Sequence, residues 1–398
     1  MATIALIWEL GSDYGHIGRF LPIAQALRSR GHRPVMILRD ISRADEMLTP
    51  HAIEYLQAPL WLLPVKGLPP PANFTESLFL FGFLSPAGLL SVARAWRQLL
   101  ALLKPDLLVF DHAPTALLAT RGMGLPRLVT GNSFSVPPAT RPLPAYRWWE
   151  PAPDRARLIG AEARLVASAN QVLAALGAPA LGQVSDLYQA EATLITGIPE
   201  MDVYGPRAQE CHVGPINTLA HGVAPNWPGI AKTRVFAYLK PHYPLFERTV
   251  QALADSGASV ALFAPGLPGK EASRLSTPNL AFSERPLHLG EVRARCDLAV
   301  CHSGGTMDVM LGAGKPLLML PIQMEQSMTS RRVEDLGCGL TYTPDQAPRR
   351  IGALVTELLG SPRYGEKARE YAQRNAAFTQ EAALTRFISR CEALLAPG

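Results

Sequence analysis

Residues 3–38, TIALIWELGSDYGHIGRFLPIAQALRSRGHRPVMIL, contain one helix pattern between two strand patterns. Thr3–Leu10 is a short β-prone apolar run, and Pro34–Leu38 is a second one. Between them, Phe20–Arg30 has apolar positions at helical spacing, and Gly31 is placed to end the helix. A strand, a helix and a strand in this order form a βαβ unit. The sequence therefore predicts an α/β fold with a parallel, doubly wound sheet and helices on both faces.

The same alternation continues along the chain in two sets. Further strands are predicted at Asp106–Phe110, Arg127–Thr130, Arg234–Leu239, Ser259–Phe263, Asp297–Cys301 and Pro316–Leu320, and helices at Leu245–Ser256, Thr306–Ala313, Ser327–Leu336 and twice within Tyr364–Leu395. Residues 217–230 have little periodicity and are the expected linker. We expect an N-terminal domain over 1–216, a C-terminal domain over 231–375, and a last helix in 376–398 that packs back on the N-terminal domain. Two such domains are expected to face each other across a ligand-binding cleft.

Composition excludes several classes of protein. A chain of 398 residues with 48% hydrophobic content is too long for one core and too apolar to be disordered. Its net charge of +5 is scattered, which argues against nucleic-acid binding. Five cysteines without a CxxC pair predict free thiols in the cytoplasm and no structural zinc. The first residues lack a basic leader, and the longest apolar stretch, Leu78–Ala93, is too short and too interrupted for a membrane span.

The segment Cys296–Thr306 is the strongest candidate for a ligand site. A strand ends at His302, small residues follow, and a helix is predicted to start at Thr306. The dipole of that helix favours an anion at its N-terminus. This pattern is typical of a phosphate-binding turn. An ordinary tight turn with His302 in the core is the alternative. Downstream, Glu325 and Gln326 precede a helix and supply a carboxylate and an amide for sugar hydroxyls.

The stretch HSGGTMDVMLGAGKPLLMLPIQMEQSMTSRRVEDLGCG, within 296–340, resembles the nucleotide-sugar signature of family 1 glycosyltransferases of the GT-B fold. The chain is most similar to bacterial macrolide- and rhamnosyl-transferase-like members, and residues 8–22, 26–32 and 213–215 resemble other parts of that family. The resemblance implies two doubly wound, Rossmann-like domains. It implies that the donor diphosphate is held by His302, Ser303, Gly304, Gly305 and Thr306, and the donor sugar by Glu325 and Gln326.

The chain departs from the family at two donor positions. The turn after His302 is one residue shorter than is common, and Val309 stands where the family has a glutamate for the ribose hydroxyls. Asp308, next to it, is a possible replacement, although adjacent helical positions point about 100° apart. The usual Trp/Gln motif for the base is absent, so the backbone of Leu287 is expected to pair with it.

A candidate general base lies in the other half of the chain. His16 follows Gly15 in the turn after the first strand, and a neutral imidazole there can take a proton from a hydroxyl. Asp111 ends another strand and is expected to orient that imidazole. Capping roles for both residues are the alternative, but the resemblance favours a catalytic pair of His16 and Asp111. Asp13 is a weaker candidate in the same loop.

The implied reaction is inverting transfer of a sugar from a nucleoside-diphosphate sugar, with UDP or TDP as the expected nucleotide. Lys240, at the end of a strand, is expected to steady the departing diphosphate. No cofactor is expected, and no metal, because the chain contains no Asp-x-Asp triplet. Asp40 alone keeps a nicotinamide enzyme open, since the glycines from Gly11 to Gly18 have the wrong spacing.

The acceptor is less well defined. Candidate acceptor contacts are Trp61, Phe79, Phe83, Asn132 and Trp148. Aromatic surface of this kind suits a small apolar molecule or a lipid, as in natural-product or glycolipid biosynthesis, whereas core packing is the alternative. Leu78–Trp96 is also a possible peripheral membrane contact. A GT-B epimerase and a non-catalytic nucleotide-sugar-binding subunit are the rival functions, and the sequence predicts no oligomeric state.

Overall fold

A computed structural model describes residues 1–11, 15–207, 211–217, 222–346 and 350–396, and divides the chain into two compact units. Unit 1 consists of Met1–Ile216 and Gln380–Gly398, and unit 2 of Asn217–Thr379. Each unit contains a six-stranded sheet whose paired strands are all parallel. The predicted α/β class with two doubly wound sheets is confirmed.

The sheet of unit 1 has the order β3-β2-β1-β4-β5-β6. Its strands are β1 Thr3–Trp8, β2 Arg33–Leu38, β3 Glu54–Gln57, β4 Leu107–Asp111, β5 Arg127–Gly131 and β6 Ala192–Ile195. The helices of this unit are α1 Gly15–Ser29, α2 Ala44–Leu48, α3 Phe74–Phe79, α4 Pro86–Leu103, α5 Pro114–Thr120, α6 Arg155–Ala175 and the last helix of the chain, Gln380–Leu395.

The middle of this sheet explains where the candidate base lies. Strands β1 and β4 are buried and apolar on both faces, as expected for central parallel strands. They pair in register so that Trp8 lies beside Asp111 at the carboxyl edge of the sheet. Helix α1 follows β1 and begins at Gly15, so the predicted start at Phe20 is wrong by more than a turn. His16 and Arg19 are consequently one helical turn apart, on the side of α1 that meets β4.

The sheet of unit 2 has the order β12-β11-β10-β7-β8-β9. Its strands are β7 Arg234–Tyr238, β8 Ser259–Phe263, β9 Leu280–Ser283, β10 Leu298–Cys301, β11 Leu317–Met319 and β12 Gly339–Thr341. The helices are α7 Phe246–Asp255, α8 Gly269–Leu275, α9 Leu289–Arg295, α10 Gly305–Gly312, α11 Met324–Asp335, α12 Arg350–Gly360 and α13 Pro362–Arg374. The helix Gln380–Leu395 is α14 in this numbering, and its buried side chains belong to the core of unit 1.

The longest apolar stretch of the sequence, Leu78–Ala93, contributes to the packed interior of unit 1. Helix α4 buries Leu89, Ala93 and Trp96 inside unit 1. In the part of the chain that the structure describes, no helix combines the length and apolar character needed to cross a bilayer. All five cysteines are free thiols, and four of them are buried.

Candidate active site

The candidate site of unit 1 is a hydrogen-bonded pair of side chains at the carboxyl edge of its sheet. His16 Nδ1 lies 2.9 Å from Asp111 Oδ2. Because an ionised carboxylate only accepts hydrogen bonds, this contact requires a proton on Nδ1, and in the neutral imidazole Nε2 is then the acceptor. The structure thus brings together two residues that are 95 positions apart in sequence. Asp13, the weaker candidate, lies outside the described residues.

A third side chain, absent from the sequence-based prediction, joins this pair. Arg19 Nη1 donates to Asp111 Oδ2 over 2.6 Å, so two cationic or potentially cationic groups share one carboxylate oxygen. Asp111 itself is fully buried. Burial raises the pKa of Asp111, but Arg19 and His16 outweigh it and hold that pKa well below its usual range. The carboxylate is therefore ionised at neutral pH.

Packing fixes the imidazole from two sides. The Trp8 indole stacks on the His16 ring with centroids 4.9 Å apart and planes 15° apart. On the Nε2 edge lies Gly11, where an added Cβ would be 2.6 Å from Nε2. The φ of Gly11 is 100°, in the region that favours glycine. The sequence suggested a turn at this position but gave no sign that the turn closes on the base.

His112 is a second residue that the sequence analysis did not select. Its ring lies 6.2 Å from that of His16, 5.8 Å from Phe74 and 6.1 Å from Phe134. Burial and the neighbouring His16 lower the pKa of His112 well below its usual range, so this imidazole is neutral. The strand-end pair Asp111-His112 was the available signal, but it does not tell which way the second side chain turns.

The five predicted acceptor residues pack in different ways. Phe83 is fully buried, and Trp61 packs over the backbones of Gly82 and Gly88. Phe79 lies under the Arg164 guanidinium, 5.3 Å from it, beside a cavity of about 370 Å³ between α3 and α6. Of the remaining two, Asn132 caps the short 3-10 turn Ser133–Ser135, and Trp148 packs edge-on against Trp149. The described rings nearest to His16 are instead Trp8, His112 and, behind His112, Phe74 and Phe134.

A second candidate site, in unit 2, is the turn between β10 and α10. His302 directly follows β10 and is almost fully buried. Its Nδ1 donates to the Leu320 carbonyl over 2.6 Å, and its Nε2 accepts the Lys240 N–H over 2.9 Å. Both ring nitrogens are therefore used by backbone groups at the ends of two neighbouring strands. This differs from the expectation of a direct contact between the imidazole and a diphosphate, because the ring has no further N–H to donate.

The glycines after His302 shape a helix start with open backbone donors. Gly304 is the N-cap residue of α10 with φ 72°, a conformation that glycine adopts without strain. A Cβ at Gly305 would come within 2.7 Å of Asn217 Oδ1. The absence of a side chain at Gly305 therefore leaves room for the Asn217 amide. The first N–H groups of an α-helix have no acceptor within the helix. Those of Gly305 and Thr306 are consequently placed to bind an anion, together with the half-buried Ser303.

The remaining predicted donor residues lie at nearby strand ends. Lys240 lies two residues after the end of β7 and is buried. Glu325 and Gln326 lie in the first turn of α11, where Gln326 Oε1 accepts the Ile322 N–H over 2.8 Å. That bond leaves the amide nitrogen of Gln326 as the part of the side chain that can donate. In α10, Val309 is buried and Asp308 is partly exposed, so the accessible side of the helix carries the carboxylate.

Leu287 has the backbone arrangement expected of a base-pairing residue. It forms an isolated parallel bridge with Val223, in which Val223 N–H binds the Pro286 carbonyl and His288 N–H binds the Val223 carbonyl. In a parallel bridge of this kind, the N–H and carbonyl of Leu287, which lies between the two bonded residues, point away from Val223. In the described part of the chain, neither the N–H nor the carbonyl of Leu287 takes part in a backbone hydrogen bond.

The chain was compared with protein families, curated proteins and solved structures. No family model matches the chain. A curated relative, the PGL/p-HBAD biosynthesis glycosyltransferase of Mycobacterium tuberculosis, is 24% identical over 298 residues, which cover 70% of this chain and 68% of the relative. The solved structure of the glycotransferase of kitacinnamycin is 20% identical with a TM-score of 0.72, and the match covers 99% of both chains. The chain has the GT-B fold of glycosyltransferases.

Two further GT-B structures were solved with ligands. Glycosyltransferase VinC in complex with dTDP is 15% identical with a TM-score of 0.67, over 98% of this chain and 100% of that one. The spinosyn rhamnosyltransferase SpnG complexed with spinosyn aglycone is also 15% identical, with a TM-score of 0.63 and the same coverage. The structural neighbours and the curated relative are thus glycosyltransferases, which agrees with the resemblance seen in the sequence.

Proposed function

We propose that this chain is an inverting, metal-independent glycosyltransferase that transfers a sugar from a nucleoside-diphosphate sugar to a hydroxyl of a small apolar acceptor. Glycosyltransferase activity on a nucleotide-sugar donor is supported by the relatives and structural neighbours. The observation that carries the finer proposal is the 2.9 Å contact between His16 Nδ1 and the buried carboxylate of Asp111. In the neutral imidazole that makes this contact, Nε2 is the acceptor that a general base requires.

In the proposed reaction His16 Nε2 removes the proton of the acceptor hydroxyl. The acceptor oxygen forms a bond to the anomeric carbon on one face, and the bond from that carbon to the diphosphate oxygen breaks on the other. The configuration is inverted, the proton remains on the imidazolium, and the nucleoside diphosphate departs with the bonding electron pair. Asp111 acts as a positioning residue that keeps the proton on Nδ1 and stabilises the imidazolium.

The donor is proposed to bind in unit 2. Backbone N–H groups of Gly305 and Thr306, with the Ser303 hydroxyl, would hold the diphosphate, and Lys240 would offset its charge. The free peptide groups of Leu287 would pair with the base, while Glu325 and Gln326 would bind hydroxyls of the sugar. His302 would act indirectly, since its ring ties Lys240 and Leu320 to the end of β10.

The acceptor is proposed to lie beside His112. Its neutral imidazole and the half-buried ring of Phe134 offer an apolar surface with one polar edge close to the base. Such a surface suits a flat or aliphatic aglycone that carries one hydroxyl. The neighbours named for kitacinnamycin and spinosyn aglycone support a natural-product acceptor of this kind.

Calorimetric titration with UDP, TDP and GDP, each with and without magnesium, is the first test. Micromolar binding of one nucleotide, unchanged by magnesium, is the expected result and would identify the donor base. Binding only with magnesium would contradict the metal-independent proposal. Absence of binding to all three would contradict the proposed donor site.

Two histidine variants then separate the roles of the two units. His16→Ala is expected to lower turnover by about 10²- to 10⁴-fold with little change in nucleotide affinity, because it removes only proton transfer. His302→Ala is expected to weaken nucleotide binding. His51→Ala and His242→Ala, one in each unit and neither part of the site, are the matched controls. Unchanged turnover in both site variants would show that the residues are wrongly assigned, and turnover of donor without acceptor would favour an epimerase.

A further inference from the structure

Arg19 occupies a place in the site that the proposed reaction does not yet use. It lies one helical turn after His16 on α1, and both side chains bind the same oxygen, Asp111 Oδ2, over 2.6 and 2.9 Å. The other oxygen, Oδ1, is buried and has no hydrogen-bond partner among the described residues. Among the described residues, the two side chains that bind this carboxylate both come from α1. Arg19 and His16 are themselves mostly buried, with side chains 15% and 13% exposed.

The charge count of this cluster decides which form of His16 is stable. A buried carboxylate facing only an imidazole would be best compensated by imidazolium, which has already taken its proton and cannot act as a base. With Arg19 present, one negative and one positive charge already balance while the imidazole is neutral. A proton added to His16 would then place a second positive charge at the same oxygen.

We infer that Arg19 is a positioning residue that keeps His16 in its neutral, proton-accepting form by sharing Asp111 Oδ2 with it. This inference rests on the proposed function only in that it assigns His16 the role of base. The charge state of His16 in the ligand-free protein is a property of the three side chains and can be measured without any substrate.

Further charged or titratable groups lie near the cluster. His112 faces His16 from the turn after β4 and is neutral, so it contributes little charge at neutral pH. Arg39 contributes a weaker positive field at His112 and binds the Glu9 backbone carbonyl over 3.0 Å. The Glu9 carboxylate points away to the N–H groups of Thr115 and Ala116. Among the described residues, Arg19 is thus the cation in direct contact with Asp111 besides His16.

The test is an NMR titration of the full-length, ligand-free protein with labelled histidine, in which the His16 signals are assigned from His16→Gln. In the wild type at pH 7, the ring nitrogens of His16 should show the neutral tautomer with the proton on Nδ1. Arg19→Gln retains a hydrogen-bond donor but removes the charge, and should raise the midpoint of the His16 titration by about one pH unit or more. Arg19→Lys retains the charge and should leave the midpoint close to that of the wild type.

The chain supplies a matched control for loss of a buried arginine. Arg207 Nε binds Asp202 Oδ2 over 2.7 Å, and that oxygen also contacts His212 Nε2 over 3.0 Å, in a buried cluster built from other elements. Arg207→Gln should destabilise unit 1 without moving the His16 midpoint. A purely structural role of Arg19 predicts the same pattern for Arg19→Gln and for Arg19→Lys.

Two results would overturn the inference. One is the observation of an imidazolium at His16 in the wild type at pH 7. This measurement uses the wild-type protein alone and does not depend on whether a variant folds. The other is a folded Arg19→Gln protein whose His16 midpoint equals that of the wild type. Failure of the proposed transferase function would appear separately, as absent nucleotide binding or absent transfer in a protein whose His16 titration is as expected. Where transfer is observed, the acid limb of the pH–rate profile of Arg19→Gln should move to higher pH with the titration.

Discussion

At the level of single residues, the position of the His16 ring depends on the absence of a side chain at Gly11. Gly11 lies beside the Nε2 edge of His16, while Trp8 covers one face of the ring and Asp111 holds Nδ1. Together, these contacts restrict the imidazole ring to one position. A base held in this way can act on an acceptor hydroxyl only if that position is correct to a fraction of an ångström.

Gly11→Ala is therefore expected to impair proton transfer selectively. The new Cβ would lie 2.6 Å from Nε2, closer than real contacts allow, at a φ of 100° that disfavours a side chain. We expect turnover to fall by about 10²-fold or more, as for a catalytic group displaced by roughly 1 Å. Steady-state kinetics measures the loss, and calorimetry should show unchanged nucleotide affinity.

Gly15→Ala is the matched control for this change. Gly15 begins the same helix, and a Cβ there would meet nothing within 4 Å. Its turnover should stay close to that of the wild type. Equal losses in the two variants would mean that the loop as a whole, rather than the space next to Nε2, limits the reaction.

At the level of helices and strands, the sequence predicted the centre of each sheet and missed its edges. The strands that were not predicted are β3, β6, β9 and β12, and each is the outermost strand of its sheet. Central parallel strands are buried on both faces and appear as continuous apolar runs. Edge strands are shorter and partly solvated; β3, for example, exposes Glu54 and Gln57. Their pairing follows from the neighbouring strand more than from their own composition.

The same difference explains which site residues could be predicted. Asp111 ends the central strand β4, His302 directly follows the central strand β10, and His16 lies in the first turn of the helix after β1. The carboxyl edge of such strands is known to carry ligand sites. Arg19 and His112 are recognisable only once the rotation of α1 and the turn after β4 are known. The engagement of both His302 nitrogens likewise depends on the carbonyl of Leu320 and the N–H of Lys240, which lie on separate strands.

The bridge between Val223 and Leu287 is an element with a direct link to nucleotide selection. Gly222 lies so close to this bridge that a Cβ would come within 2.5 Å of the Leu287 carbonyl carbon and 2.6 Å of the His288 nitrogen. Gly222→Ala should push the Leu287 backbone out of place. We expect weaker binding of the preferred nucleotide, by about tenfold for one lost hydrogen bond, and reduced discrimination among UDP, TDP and GDP.

Gly266→Ala is the control for the cost of alanine at a positive φ. Gly266 has φ 77°, and a Cβ there would meet nothing within 4 Å. This variant should lose some stability while its nucleotide affinities, measured by the same calorimetric titrations, stay unchanged. If Gly222→Ala also keeps its affinities and their order, Leu287 does not read the base.

At the level of the whole molecule, the two ends of the chain build one unit. Helix α14 packs on α1, and its buried residues Phe387, Ile388 and Cys391 belong to the same core as β1 and β4. Polar contacts hold it as well: Arg386 binds the His212 carbonyl over 2.9 Å, and Arg390 binds that of Glu191 over 2.8 Å. Unit 1 is thus completed only by residues that follow the whole of unit 2 in sequence.

Phe387→Ala should therefore weaken unit 1 while leaving the donor site intact. Phe387 is fully buried, and removing a buried phenylalanine costs about 3–5 kcal/mol. For a unit of this size that corresponds to a fall of roughly 10 °C in the midpoint of its thermal unfolding, measured by scanning calorimetry. The exposed neighbour Ser389→Ala should leave the midpoint unchanged. Below the transition, nucleotide affinity should match the wild type, because the proposed donor residues all belong to unit 2. A variant that unfolds at the wild-type temperature would show that α14 is not part of the unit 1 core in solution.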